Sequence, residues 1–257
     1  MTRVLTALIL IPLFCYLILW APVWAFLAAV AAVALLCFRE YAELAALHEI
    51  PKAGLFGYAA GVLLLFLPQA DAAFLVLIAI LAMALALRSR ELTESLPYAA
   101  SVLLGVMYVS GTLRCGIDLR KIDHYWLFFA LSLNWVGDIA ALYVGRAIGK
   151  HKMSPRISPA KSWEGAAASV VASVIYGAVY IPRLLPPAVP LIEALGLTVA
   201  ANIAGQIGDL CESALKRGAG VKDSGNLLPG HGGWLDRVDS GLFALPVVYF
   251  IVRNFHW

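Results

Sequence analysis

The stretch PLIEALGLTVAANIAGQIGDLCESALKR, residues 190–217, decides the fold. Its apolar run, 190–212, is long enough to cross a hydrocarbon core as a helix, for which about 20 residues suffice. Yet Asn202, Gln206, Asp209, Ser213 and Lys216 recur at steps of four, three, four and three, so a helix carries all five on one stripe. A polar stripe on a membrane helix faces protein or a wet cavity rather than lipid. Hydrogen-bonded packing between helices accounts for Asn202 and Gln206 as well as function does. An ionisable Asp209 on the same stripe points more to function.

The same kind of segment recurs along the chain. Apolar runs bounded by charge, Pro or Gly fall at 4–20, 22–38, 54–68, 72–87, 96–113, 124–145, 164–182, 190–212 and 241–255. The fold class is therefore all-α, a polytopic integral membrane protein of about nine transmembrane helices, or eight if a short run does not cross. With 62% hydrophobic and only 14% charged residues in 257, a soluble domain is excluded. The whole chain reads as one membrane domain, with spans of little motif content over 1–113 and the chemistry over 124–257. The first run follows Arg3 and is followed at once by another, so it reads as an uncleaved span. Cys15, Cys37, Cys115 and Cys211 have no metal-like spacing. A net charge of +3 gives no support to nucleic-acid binding.

Placing the N-terminus in the cytoplasm puts 14 of the 19 Lys and Arg residues on that side, as the positive-inside rule requires. Arg114, Arg120, Lys121, Arg183 and Arg253 remain outside. The expected loop at 114–123 is thus the weak point of the topology.

Two loops concentrate chemistry on the cytoplasmic side. The first, 146–165, brings Arg146, Lys150, Lys152, Arg156 and Lys161 together with Ser158, Pro159 and Ser162 ahead of a helix start. Basic loops hold topology and attract anionic headgroups, but Ser and Lys beside a helix N-terminus also suit a phosphate. In the preceding span Asn134 and Asp138 lie one turn apart, and Asp138 either pairs with a cation such as Arg146 or serves the site. The second loop, 213–240, gathers Lys216, Arg217, Lys222, Asp223, His231, Asp236, Arg237 and Asp239 around glycines 225, 230, 232 and 233. Such glycines permit close backbone approach, as needed where main-chain N–H groups meet phosphate. The carboxylates are hard ligands suited to Mg²⁺, which takes one or two and completes its shell with water and substrate oxygens. Asp236 and Asp239 also suit a helix cap.

These residues resemble the CTP:phosphatidate cytidylyltransferases, also called CDP-diacylglycerol synthases. From Ser213 to Asp239 the chain follows that family's order of a serine, a Lys-Arg pair (Lys216, Arg217), a Lys-Asp pair (Lys222, Asp223), Pro229, His231-Gly232-Gly233, and Asp236-Arg237-x-Asp239. Asp138, Gly145-Arg146, Gly149-Lys150, the run Ser158-Pro159-x-Lys161-Ser162-Trp163-Glu164-Gly165 and Gly208-Asp209 look like its upstream elements. Trp234 departs from the usual smaller residue, Tyr143 sits one position late, and Ser162 stands for a common threonine. The motifs cover about 134–240; the first five spans match only as hydrophobic segments.

The resemblance implies conversion of CTP and phosphatidate to CDP-diacylglycerol and pyrophosphate, an enzyme of phospholipid biosynthesis requiring Mg²⁺, with a second cation left open. It implies a multi-pass protein of the inner (plasma) membrane whose active site faces the cytoplasm. By similarity, Asp209 and Asp236 are the first metal ligands, followed by Asp239, Asp223 and Ser213. Lys216, Arg217 and Lys222 bind the triphosphate or pyrophosphate. Lys161 and Arg146 bind the lipid phosphate or nucleotide tail, with Ser158, His231, Arg237 and Asp138 around the substrates. Lys216, Asp223, Asp236 and Asp239 carry the catalytic expectation, and His231 is not required as a base, because a phosphate monoester is already largely ionised with a second pKa of about 6. Oligomeric state is left open, a homodimer included. A transporter is the rival from another class, disfavoured because the charges cluster in loops and no repeat is evident; a scaffold would not need the constellation. A cytidylyltransferase for an ether-linked or polyprenyl phosphate is the rival among enzymes.

Overall fold

A computed structural model describes residues 2–67, 72–89, 91–185, 189–228, 230 and 232–255. His231 and Pro229, both in the expected signature, lie outside the described residues. Among the described residues each of the nine apolar runs coincides with helix: α1 (Thr2–Leu19), α2 (Val23–Leu47), α3 (Gly54–Phe66), α4 (Ala72–Ala86), α5 (Ser95–Gly105) continued by α6 (Thr112–Ile122), α7 (His124–Ile148), α8 (Trp163–Leu184), α9 (Leu191–Gly218) and α10 (Leu235–Phe255). The protein is thus an all-α polytopic membrane protein. Among the described residues, five segments are long and apolar enough to cross a membrane: Val23–Leu47, Leu92–Ile122, His124–Ile148, Trp163–Leu184 and Leu191–Gly218.

The structure corrects three boundaries. The segment 114–123 is not a loop: a π-helical stretch, Val106–Gly111, joins α5 to α6, and the helix runs on to Ile122. Its arginines are used locally. Arg114 donates to the carbonyls of Leu65 and Leu67 at 3.0 and 2.8 Å, at the C-terminal end of α3. Arg120 donates to those of Ile18 and Ala21 at 3.0 and 2.6 Å, at the end of α1. Helix C-termini leave carbonyls without intrahelical partners, and cations there are favoured by the helix dipole. These two arginines are therefore explained by capping rather than by topology. The second boundary is α9, which continues to Gly218, while α10 begins at Leu235, so the stretch between the two helices is only 219–234. Third, the basic segment after α7 is not wholly irregular. It holds an antiparallel hairpin, β1 (Lys152–Ser154) and β2 (Ser158–Ser162).

The chain divides into two compact units, one of 1–11, 22–114 and 215–237, the other of 12–21, 115–214 and 238–257. In the first, α2 packs on α3 and on the π stretch. Tyr41 donates to the Ser101 carbonyl at 3.0 Å, and Gly61 lies where a side chain would meet Ser110 Oγ at 2.7 Å. In the second, α7, α8 and α9 share a polar seam of small residues. Asn202 Nδ2 donates to Ser169 and Ser173 at 3.0 and 2.9 Å, and Gln206 Nε2 donates to Asn202 Oδ1 at 2.7 Å. A side chain at Gly137 would meet Asn202 Nδ2 at 2.7 Å. Small residues let helix backbones approach, and buried amides then find hydroxyl partners. Asn202 and Gln206 are thus helix-packing residues.

Candidate active site

Beyond Gln206 the α9 stripe changes character. In the second unit, Asp209 Oδ2 lies 2.6 Å from Lys161 Nζ, and Ser213 Oγ donates to Asp209 Oδ1 at 3.3 Å. Asp138, from α7, is within electrostatic reach of both Asp209 and Lys161. Three elements therefore converge: α7, the hairpin strand β2 and α9. The local sequence explains the arrival of Lys161. Ser162, which follows it, N-caps α8 by accepting from Gly165 N at 3.2 Å. Ser performs this role at least as well as Thr, so Ser162 can stand in place of the threonine. Glu164 accepts from His151 N and Nδ1 at 3.2 and 2.7 Å and ties the start of the hairpin to the helix. The alternative partner for Asp138, Arg146, is exposed at the end of α7.

Gly208 beside Asp209 allows α9 and α10 to touch. A side chain there would meet the Asp239 carbonyl at 2.8 Å and Phe243 Cβ at 2.9 Å. The Asp239 carboxylate turns to its own helix, accepting from Ser240 N at 2.7 Å.

The first unit holds a second polar group, in residues 215–237. Lys216 forms a buried ion pair with Asp236 Oδ1, both side chains less than a tenth exposed. Asp236 Oδ2 accepts from Ser224 N at 2.9 Å and Gly233 N at 2.8 Å, and lies 3.0 Å from Ser224 Oγ. Asp236 precedes the apolar run that begins at Gly241. Burial pushes its carboxyl up, but the hydrogen bonds from Lys216, Gly233 and Ser224, with the Lys216 charge, outweigh this and hold it below the usual carboxylate range.

Glu40, on α2, is a residue that the sequence pattern did not single out. It is 2% exposed and accepts from Ser224 Oγ at 2.8 Å, Trp234 N at 2.9 Å and Leu235 N at 2.8 Å. A signal for it exists. Cys37, Glu40, Tyr41 and Leu44 are all buried and follow the i, i+3, i+4, i+7 spacing of one helix face. A carboxylate on that face demands donors. The glycines of the loop divide their work accordingly. Gly230 and Gly232 have φ of 76° and 78°, a region that favours glycine. Gly225 and Gly233 instead make room for Glu40: a side chain on Gly225 would meet Glu40 Oε1 at 2.7 Å, and one on Gly233 would collide with Ser224 Oγ and Glu40 Oε2. The N–H groups of residues 233–235 are thus engaged by protein carboxylates.

Of the other expected residues, Arg217 donates to the Val221 carbonyl at 2.9 Å and, like Lys222, Asp223 and Arg237, is exposed. Ser158 is half-buried in β2.

An all-α membrane fold with acidic and basic side chains gathered at the ends of its helices belongs here to a defined family. The family model described as "Cytidylyltransferase family" matches residues 1–255, and the chain belongs to that family. It is similar to proteins named phosphatidate cytidylyltransferase. One from Staphylococcus saprophyticus is 35% identical over 231 residues, 85% of this chain and 87% of that one. One from Brucella suis is 34% identical over 252 residues, 96% and 91% of the two. A third, from Bacillus subtilis, is 41% identical over 158 residues, a match that spans 60% of this chain and 58% of the relative.

Proposed function

We infer that this protein is a membrane enzyme that converts CTP and phosphatidate to CDP-diacylglycerol and pyrophosphate. The observation that carries the reading is the family match across residues 1–255, with relatives of that name aligned over nearly the whole chain. The Lys161–Asp209 grouping adds chemical support, since it sets hard oxygen ligands and a cation beside one another.

An oxygen of the lipid phosphate attacks the α-phosphorus of CTP. A new P–O bond forms, the bond from the α-phosphorus to the bridging oxygen breaks, and pyrophosphate leaves with that electron pair. No proton transfer is obligatory, because the nucleophile is already anionic. The protein's task is positioning and neutralising charge. Lys216, Arg217 and Lys222 hold the triphosphate and then pyrophosphate. Lys161 and Arg146 hold the lipid phosphate or nucleotide tail, and Ser158, Asp138, His231 and Arg237 complete the set of substrate-binding residues.

Asp209 and Ser213 offer two adjacent hard oxygens of the kind Mg²⁺ takes, one or two carboxylates being enough for that ion, although among the described residues no cluster of three acidic, His or Cys ligands is gathered. When bound, Mg²⁺ supplies charge neutralisation for the phosphates. Asp209 is the principal ligand on this reading; Asp236, Asp239 and Asp223 are secondary. Asp236 binds a cation only by loosening Lys216, which ties its ligand role to the buried pair. The site opens at the cytoplasmic headgroup level of the inner membrane, where its lipid substrate lies. The test is product formation by purified protein given labelled CTP, phosphatidate and Mg²⁺.

A further inference from the structure

We propose that Glu40 is a positioning residue for this reaction, acting through Ser224 and the start of α10 to hold the described residues of the 219–234 segment, Ser224 and 232–234 among them, in their working shape. The proposal rests on the reading given under Proposed function. Glu40 approaches that segment from a distant part of the chain, with 184 residues separating it from Ser224. Its two oxygens are fully used. Oε1 accepts from Trp234 N, while Oε2 accepts from Leu235 N and lies 2.8 Å from Ser224 Oγ.

Ser224 Oγ lies between two carboxylates, at 2.8 Å from Glu40 Oε2 and 3.0 Å from Asp236 Oδ2. A hydroxyl has one proton to donate, so its rotor links the two acids and fixes the spacing between them. Asp236 in turn holds Lys216. A chain of direct contacts therefore runs from Glu40 through Ser224 and Asp236 to Lys216, all in one compact unit. Gly225 and Gly233, packed against Glu40, admit no side chain without displacing it. The neighbouring acid Glu43, by contrast, is exposed and pairs with Arg39 at 3.0 Å. Buried carboxylates with every oxygen satisfied by main-chain N–H groups rigidify what they hold.

The test uses full-length protein in detergent, with Glu40→Asp, Glu40→Gln, Ser224→Ala and the Glu40→Asp/Ser224→Ala double variant. Glu40→Asp retains the charge but withdraws it by one methylene, and Ser224→Ala leaves the Trp234 and Leu235 hydrogen bonds in place should a Glu40 variant fail to fold. Steady-state rates with labelled CTP and phosphatidate are read well below each variant's unfolding temperature, and tryptic cleavage after Lys222 is timed without substrate. We expect Glu40→Asp and Ser224→Ala each to lower kcat about tenfold, with KM for phosphatidate within about twofold of wild type. The double variant should fall no more than about threefold below the worse single variant, since residues acting as a unit are not additive. Cleavage after Lys222 should quicken about fivefold in Glu40→Asp, as local opening becomes easier. Rates within about threefold of wild type in both Glu40 variants, multiplying losses, or an unchanged tryptic rate would overturn the proposal. A wild-type protein that forms no lipid-soluble cytidine nucleotide would instead sink the parent reading, and the tryptic rate would still decide the Glu40 contact.

Discussion

Lys161 Nζ lies 2.6 Å from Asp209 Oδ2, so the hairpin strand delivers a cation to the first acidic residue of the α9 stripe. The pair is partly open to solvent, with 27% and 31% of the two side chains exposed. Open ion pairs contribute little to folding, and the reaction proposed above gives the pair its use in binding phosphate and metal.

Lys161→Met is accordingly expected to leave the unfolding temperature nearly unchanged. Turnover should fall by about a hundredfold, corresponding to about 3 kcal/mol of lost transition-state stabilisation. The Mg²⁺ concentration giving half-maximal activity should also drop, because an ammonium no longer competes for Asp209. A Mg²⁺ titration of the purified variant checks both. Activity within threefold of wild type would remove Lys161 from the site.

The Lys216–Asp236 pair calls for the opposite outcome. It is buried on both sides, and removing one partner of such a pair leaves an uncompensated charge at a cost of about 3–5 kcal/mol. Lys216→Met should lower the unfolding temperature in detergent as well as activity. Asp236→Asn should do the same, because Asp236 also accepts from Ser224 and Gly233. The double variant should be far less destabilised than the sum of the singles. Additive losses would show that the two side chains do not act together.

Much of this was legible in the residues. Each apolar run coincides with helix among the described residues because span length and hydropathy are strong signals, though only five segments there are long and apolar enough to cross a membrane; the charge between Asp209 and Asp239 singled out residues that the structure holds in two polar groups, Asp209 with Ser213 and Lys216 with Asp236. Three features were not legible. Arg114 and Arg120 look like loop residues until α3 and α1 are seen to end beside them, a tertiary fact that periodicity cannot supply. Asn202 and Gln206 share a stripe with Asp209, and only their partners on α8 separate packing from chemistry. Glu40 shares a helix-face spacing with Cys37, Tyr41 and Leu44, but that spacing does not name its donors, which lie nearly two hundred positions away.

The capping arginines make a prediction of their own. Arg120→Ala removes charged hydrogen bonds to two carbonyls, and bonds to charged groups contribute about 1.5–3 kcal/mol. The unfolding temperature should fall while membrane topology stays the same. Topology is checked with Leu184→Cys and Asn226→Cys in a background whose four native cysteines are alanine. The account expects an impermeant thiol reagent to label position 226 from the cytoplasmic side and position 184 from the other. Reversed labelling would invert the orientation.

Gly208→Ala tests the contact of α9 with α10 beside Asp209. The new methyl would meet the Asp239 carbonyl at 2.8 Å and Phe243 Cβ at 2.9 Å, and overpacking of this kind costs about 1–3 kcal/mol. Turnover should fall more than stability, since Asp209 moves with its neighbour. Unchanged kinetics would show that the helices separate without consequence for the site.

Purified protein incubated with phosphatidate, CTP labelled on its α-phosphate and Mg²⁺, then extracted into organic solvent, decides whether the chain makes a cytidine lipid. A labelled cytidine lipid should form with one equivalent of pyrophosphate, and none with Asp209→Asn. Label that stays in the aqueous phase with phosphatidate and with every other lipid phosphate supplied would contradict the proposed reaction.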